Sequence, residues 1–185
     1  MPANVVRATH TAPERHHPPL RPTLVAVLAA WILAWGAQGW HPAIAAAVAP
    51  SPLLNVNEQR ILMPLVSARS AAGAAGPQVD SVLVDLARAR SADMATRSYF
   101  SHYTPEGGTF FDLLGRYQVP YLYAGETIAR NNYADDQAPS VAAEAFLDSP
   151  PHRAVILDPQ YNSVGVGQAI GTDRMHYYTV ILVRR

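Results

Sequence analysis

His176-Tyr-Tyr-Thr-Val-Ile-Leu-Val-Arg184 decides the fold. In an extended strand, alternate side chains point to opposite faces. Here Tyr178, Val180 and Leu182 point one way, and Tyr177, Thr179, Ile181 and Val183 the other. Both sets are largely apolar. A strand that is apolar on both faces needs cover on both sides, so helices are expected above and below the sheet. Residues 164–170 form the neighbouring strand, joined through Gly171-Thr-Asp-Arg174, a four-residue hairpin turn. The expected fold is α+β, a three-layer α/β/α sandwich around a small antiparallel sheet.

Upstream, the pattern changes to helical spacing. Residues 55–72 read as helix, with Leu62, Leu65, Val66 and Arg69 on one face. Pro64 breaks that pattern, which places the start of the packed helix near residue 65. Asp80 is an N-cap for a second helix, whose buried face carries Leu83, Leu86, Ala87 and Met94. Asp93 and Arg97 form an exposed i,i+4 pair on it. A loop at 101–108 holds His102, and 110–117 is a short helix. Residues 120–129 enter the sheet near Glu126. Two more helices follow, at 139–147 and from Ser149-Pro-Pro-His152 onward. Gly165 and Gly167 flank Val166 in a strand, where glycine marks the close approach of another backbone.

The first fifty residues have a different composition. Eight of the 16 prolines lie at or before Pro52, and no charge occurs between Arg21 and Glu58. An arginine-flanked leader, the apolar run 24–37 and the small residues Ala43-Ile-Ala45 describe a secretory signal peptide at 1–45. The alternative is an uncleaved signal anchor spanning from residue 24 to about 44. Residues 46–64 are then linker and helix lead-in, and 65–185 the folded domain. Either reading puts the domain outside the cytoplasm, secreted or in the periplasm or envelope. The membrane is touched only through an uncleaved N-terminal segment. His10, His16 and His17 lie in the leader and receive no role.

Composition excludes several functions. All 14 basic side chains are arginine and 14 acids balance them, so no basic patch exists for nucleic acid. There is no cysteine, hence no disulfide, thiolate metal site or cysteine nucleophile. No Gly-x-Ser-x-Gly elbow, phosphate loop, dinucleotide fingerprint or His-Glu-x-x-His motif is present. What remains after His41 is three histidines, at 102, 152 and 176, and a set of acids. His152 sits in the first turn of a helix, whose N-terminus disfavours imidazolium, so it is expected to be neutral. Glu126, between Gly125 and Thr127 in an apolar stretch, is the acid expected to be buried and to need a partner. His176 is expected at the surface.

Four ordered segments carry a resemblance. They are Leu83–Met94 with Tyr99-Phe-Ser-His102, Gly125-Glu-Thr127, Ser149-Pro-Pro-His-Arg-Ala-Val-Ile-Leu157 and Val164-Gly-Val-Gly167. Together with Ser67-Ala-Arg69 they resemble the CAP superfamily of cysteine-rich secretory, antigen 5 and pathogenesis-related proteins, in its bacterial SCP-like branch. The resemblance implies a cavity lined by two histidines and acids. His102 and His152 match the histidines, and Glu126 matches the acid of the Gly-Glu-Asn motif. The second acid of eukaryotic members falls at Ser149 and is missing. Thr127 replaces the motif's Asn, Pro151 replaces a Gly, and Arg90 stands where a histidine is usual.

The family shares a fold without one activity, so the site must be read on its own chemistry. One reading is a non-catalytic module that binds a small ligand, lipid or protein partner. It requires no cofactor, and takes zinc or another divalent metal between His102 and His152 as an option, with Glu126 nearby. The alternative is an extracellular hydrolase in which a histidine or a metal-bound water does the chemistry. In a third reading His102, Glu126 and His152 are a buried structural network.

Overall fold

The structure is a computed structural model that describes residues 53–185. The expected signal segment, its cleavage site and the leader histidines lie outside the described residues. The elements run α1 Val56–Ala71, β1 Gln78–Val79, α2 Ser81–Thr96, α3 Phe110–Arg116, β2 Tyr123–Asn131, α4 Ala138–Asp148, α5 Pro150–Leu157, β3 Ser163–Ile170 and β4 His176–Arg184.

The sheet order is β1-β3-β4-β2, so β4 is internal. It pairs antiparallel with β3 (Gly165 opposite Ile181) and with β2 (Glu126 opposite Ile181). The sheet is not purely antiparallel. β1, two residues long, pairs parallel with β3 and is too short to leave a periodic signal in the sequence.

Side chains of β4 divide between two cores. Tyr178, Val180 and Leu182 pack with Ile61 and Leu65 of α1, Phe146 of α4 and Ile156 of α5. Ile181 and Val183 pack with Leu83 and Leu86 of α2 and Phe110 and Leu114 of α3. Helices therefore cover both faces. Among the described residues no helix is long and apolar enough to cross a membrane.

Pro64 does not break α1. The helix starts eight residues earlier, at Val56, held by a capping box in which Asn55 accepts from the Glu58 N–H at 2.9 Å and Glu58 accepts from the Asn55 N–H at 2.8 Å. Pro64 is exposed, so the hydrogen bond it cannot make is lost on the solvent side, where water satisfies the freed carbonyl. Glu58 also holds Arg88 of α2 through two bonds of 2.7 Å. Asp80 caps α2 as expected, accepting from the N–H groups of Val82 and Leu83.

Gly165 and Gly167 let α2 lie directly on β3. A Cβ at Gly165 would sit 2.1 Å from the Leu83 carbonyl carbon, and one at Gly167 2.1 Å from the Arg88 amide nitrogen. Both obstacles are backbone and cannot rotate away. Gly165→Ala is therefore expected to destabilise the domain by about 1–3 kcal/mol or more, through forced separation of helix and strand. Urea unfolding measures it, and an unchanged midpoint would contradict the contact.

Candidate functional site: a buried histidine–glutamate–arginine network at the edge of the sheet

β2 is an outer strand of the sheet, and Glu126 lies within it. Its neighbours on the same face, Ala124 and Ile128, pack in the α2 and α3 cores, so Glu126 points toward α2. Gly125 faces the other way, where an added Cβ would meet the Tyr161 hydroxyl at 2.5 Å and Val155 at 3.0 Å. The Glu126 side chain is fully buried, and a buried carboxylate needs charged or hydrogen-bonding partners. It has two. Arg90 Nε donates to Oε1 at 3.0 Å, and His102 Nδ1 lies 2.7 Å from Oε2.

Arg90, noted in the sequence only as standing where a histidine is usual, is the partner of Glu126. It occupies the buried stripe of α2, four residues before Met94 and seven after Leu83, and is 1% exposed. All the donors it uses are matched. Nη1 donates to the Tyr99 hydroxyl at 2.6 Å and Nη2 to the Ser101 carbonyl at 2.7 Å. The Tyr99 hydroxyl in turn donates to Asp93. Burial, then Asp93, push Tyr99 up to about 12, so it remains a donor throughout the physiological range. Arg90 thus fastens the loop that carries His102 at the same time as it neutralises Glu126. The signal was present: a charged residue on an apolar helical stripe requires a buried partner, and Glu126 was a buried acid lacking one.

His102 follows α2 in the loop as expected, and it is buried. With Nδ1 donating to the carboxylate, a neutral ring carries its lone pair on Nε2. That nitrogen is buried and has no hydrogen-bond partner. His152 is the third residue of α5 and fully buried, and neither ring nitrogen has a partner. Its ring stands edge-on to Phe146 at 5.6 Å. Ser149 holds the N-cap position without a side-chain bond, and Pro150 and Pro151 occupy the first two helical positions, where a missing N–H breaks no intrahelical bond.

Burial lowers His152 from 6.5 to about 4, and the neighbouring His102 adds to the effect. His152 is thus neutral as expected, but desolvation is the leading cause, not the helix terminus. The sign for stability follows. Below pH 6.5 the unfolded chain takes up a proton that the folded chain refuses, so stability falls as pH drops from about 6.5 to about 4. The contribution is at most about 3 kcal/mol. His152→Gln is expected to flatten that part of the stability–pH curve, as read by denaturant unfolding across pH 4–7. A curve of unchanged slope would show that His152 does not carry it.

His176 is not at the surface. It is buried at the start of the internal strand, stacks on Tyr178 at 6.2 Å and lies 3.3 Å from Asp135 through Nε2. It is not part of the Glu126 network. The Asp93–Arg97 pair on α2 is present at 3.4 Å.

The donor set limits what metal could bind. Glu126 has both oxygens engaged by Arg90 and His102, which makes it an orienting group for His102, not a ligand. Among the described residues no group of three His, Asp or Glu side chains could hold a metal ion. The free donors are Nε2 of His102 and the two nitrogens of His152. Each ring offers one lone pair, so the two histidines supply at most two donors to any ion.

The chain is similar to known proteins along most of its described length. The sequence profile of the cysteine-rich secretory protein family, CAP, matches residues 55–183. The uncharacterized protein YkwD of Bacillus subtilis (strain 168) is 33% identical over 119 residues, covering 64% of this chain and 44% of its own length. The uncharacterized membrane protein YlbC of the same organism is 36% identical over 113 residues, covering 61% and 30%. Among solved structures, an extracellular SCP-domain protein of Bacillus anthracis str. Ames is 33% identical, with a TM-score of 0.59, covering 70% of this chain and 40% of that one. The chain thus spans less than half the length of each of these relatives. The match over 55–183 takes in every element from α1 to β4, and the chain belongs to the cysteine-rich secretory protein (CAP) family.

Proposed function

We propose that this domain is a non-catalytic binding module working outside the cytoplasm, with His102 and His152 as its ligand-facing groups. One observation carries the reading: three imidazole nitrogens are buried together with no partner in the protein. Each unsatisfied buried polar group costs about 1–3 kcal/mol, and native proteins leave few of them. A bound small molecule would satisfy them, and a divalent ion such as zinc would take one nitrogen of each ring, leaving the His152 N–H to water or ligand. Lipid or protein partners outside the cytoplasm fit the same role, and no cofactor is required. The extracellular Bacillus anthracis relative supports the location, and the membrane protein YlbC supports an anchored variant of it.

The hydrolase reading is favoured by one feature, the His102–Glu126 pair, which resembles a base held by an orienting carboxylate. The rest of the site opposes it. His152, held near 4, is a weak base and is not protonated near neutral pH to act as an acid. Glu126 is occupied on both oxygens, and the chain contains no nucleophile motif.

Native mass spectrometry of protein isolated from its own compartment tests the proposal. We expect a bound small molecule or metal that is absent from the His102→Ala/His152→Ala double variant. Turnover of p-nitrophenyl acetate by the wild type, abolished in His102→Ala, would replace the binding reading with the hydrolase.

A further inference from the structure

A second site lies on the other side of Arg90. A cleft of about 830 Å³ opens between α2, the 104–109 loop and α3. None of His102, Glu126 and His152 lines it. Its volume lies within the range of small-ligand sites.

The lining selects the ligand. Three arginines (Arg90, Arg97, Arg116) face three carboxylates (Asp93, Glu106, Asp112), so the charges balance. Arg97 is already paired with Asp93 and Glu106, and Arg90 with Glu126. A polyanion would find two of the three arginines, Arg90 and Arg97, already paired, and a cation two of the three carboxylates, Asp93 and Glu106. The apolar side chains of the lining are Ala89, Leu113 and Tyr117, interspersed with charged groups that a buried acyl chain would strip of water. The walls are two helices and a glycine-containing loop. The cleft presents no strand edge to extend, so it lacks the usual means of holding an extended peptide.

The remaining class is a neutral, polyhydroxylated ligand. Planar guanidinium and carboxylate groups held in place by one another offer fixed donors and acceptors to hydroxyl groups. Tyr117, 50% exposed, supplies an aromatic face for the C–H side of a sugar ring. We infer that this cleft binds a short neutral oligosaccharide, with Tyr117 as its stacking platform.

The test is a ¹⁵N NMR titration of the domain with neutral tetrasaccharides (cello-, malto- and chitotetraose), with dextran sulfate as polyanion. The expected result is saturable shifts at the amides of Gly107, Gly108 and Tyr117 with at least one of the three sugars. Tyr117→Ala should weaken binding about tenfold and Tyr117→Phe should retain it. Tyr117 is exposed at the end of α3, so both variants are expected to fold, and amide spectra report this directly. No shift with any of the three sugars overturns the inference. So do undiminished binding by Tyr117→Ala, or shifts at these amides with dextran sulfate alone. A positive or negative result here is independent of ligand binding at the histidines, which line no part of this cleft.

Discussion

Ile181→Asp is expected to remove a large part of the domain's folding stability. Ile181 is fully buried on the internal strand, opposite both Glu126 of β2 and Gly165 of β3. It packs against Leu83, Leu86 and Leu114 in the α2–α3 core. An aspartate there loses the apolar contacts and buries a carboxylate. Arg90 cannot serve it without deserting Glu126. The expected cost exceeds about 4 kcal/mol, against the roughly 5–15 kcal/mol that holds a typical domain folded. Circular dichroism and urea unfolding measure it. A variant of wild-type stability would mean that this position is exposed and that α2 and α3 do not cover the sheet.

Arg90→Met is expected to cost about 3–5 kcal/mol, the range found when one partner of a buried ion pair is removed. The variant keeps the volume and leaves Glu126 without its cation. It also releases Tyr99 and the Ser101 carbonyl, and so loosens the loop that carries His102. The double variant Arg90→Met/Glu126→Gln separates the two effects. Its neutral amide can still bond His102, so it should be more stable than Arg90→Met alone if the unpaired charge is the main penalty. A double variant as unstable as the sum of both single changes would assign the cost to the loop instead.

These two residues also show how much was legible from sequence. The β4 pattern specified an internal strand because burial on two faces leaves a simple record in a period of two. The glycines of β3 marked the approach of α2 because no other residue lets backbones meet at that distance. The site was legible in part. Glu126 and His102 were found, and so was the burial of Glu126. Its principal partner was not, although Arg90 stands in register with Leu83, Ala87 and Met94 on the buried stripe of α2. A charge in an apolar period reads as an interruption until its partner, 36 residues away, is known.

Arg69 follows the same rule. It sits on the buried face of α1 and donates to the carbonyl of Ala75, just beyond α1, and to those of Ile156, Asp158 and Tyr161, at and beyond the end of α5. Local patterns misled in two places. Pro64 looked like a helix start because proline's cost depends on which face it occupies, and here it faces solvent. His176 looked exposed because the strand's beginning carries no sign of the contacts that bury it, among them the ring of Tyr178.

The proposed role rests on His102 and His152 facing one ligand space. Calorimetric zinc titration of wild type, His102→Ala and His152→Ala at neutral pH tests this most directly, with circular dichroism confirming that each variant is folded. Where the ligand is a divalent metal, the account predicts one zinc per wild-type domain and affinity reduced by more than about tenfold in each folded variant, because each removes one of only two protein ligands. Equal affinity in all three proteins, or unfolding of both variants, would contradict it and leave His102, Glu126 and His152 as a structural network.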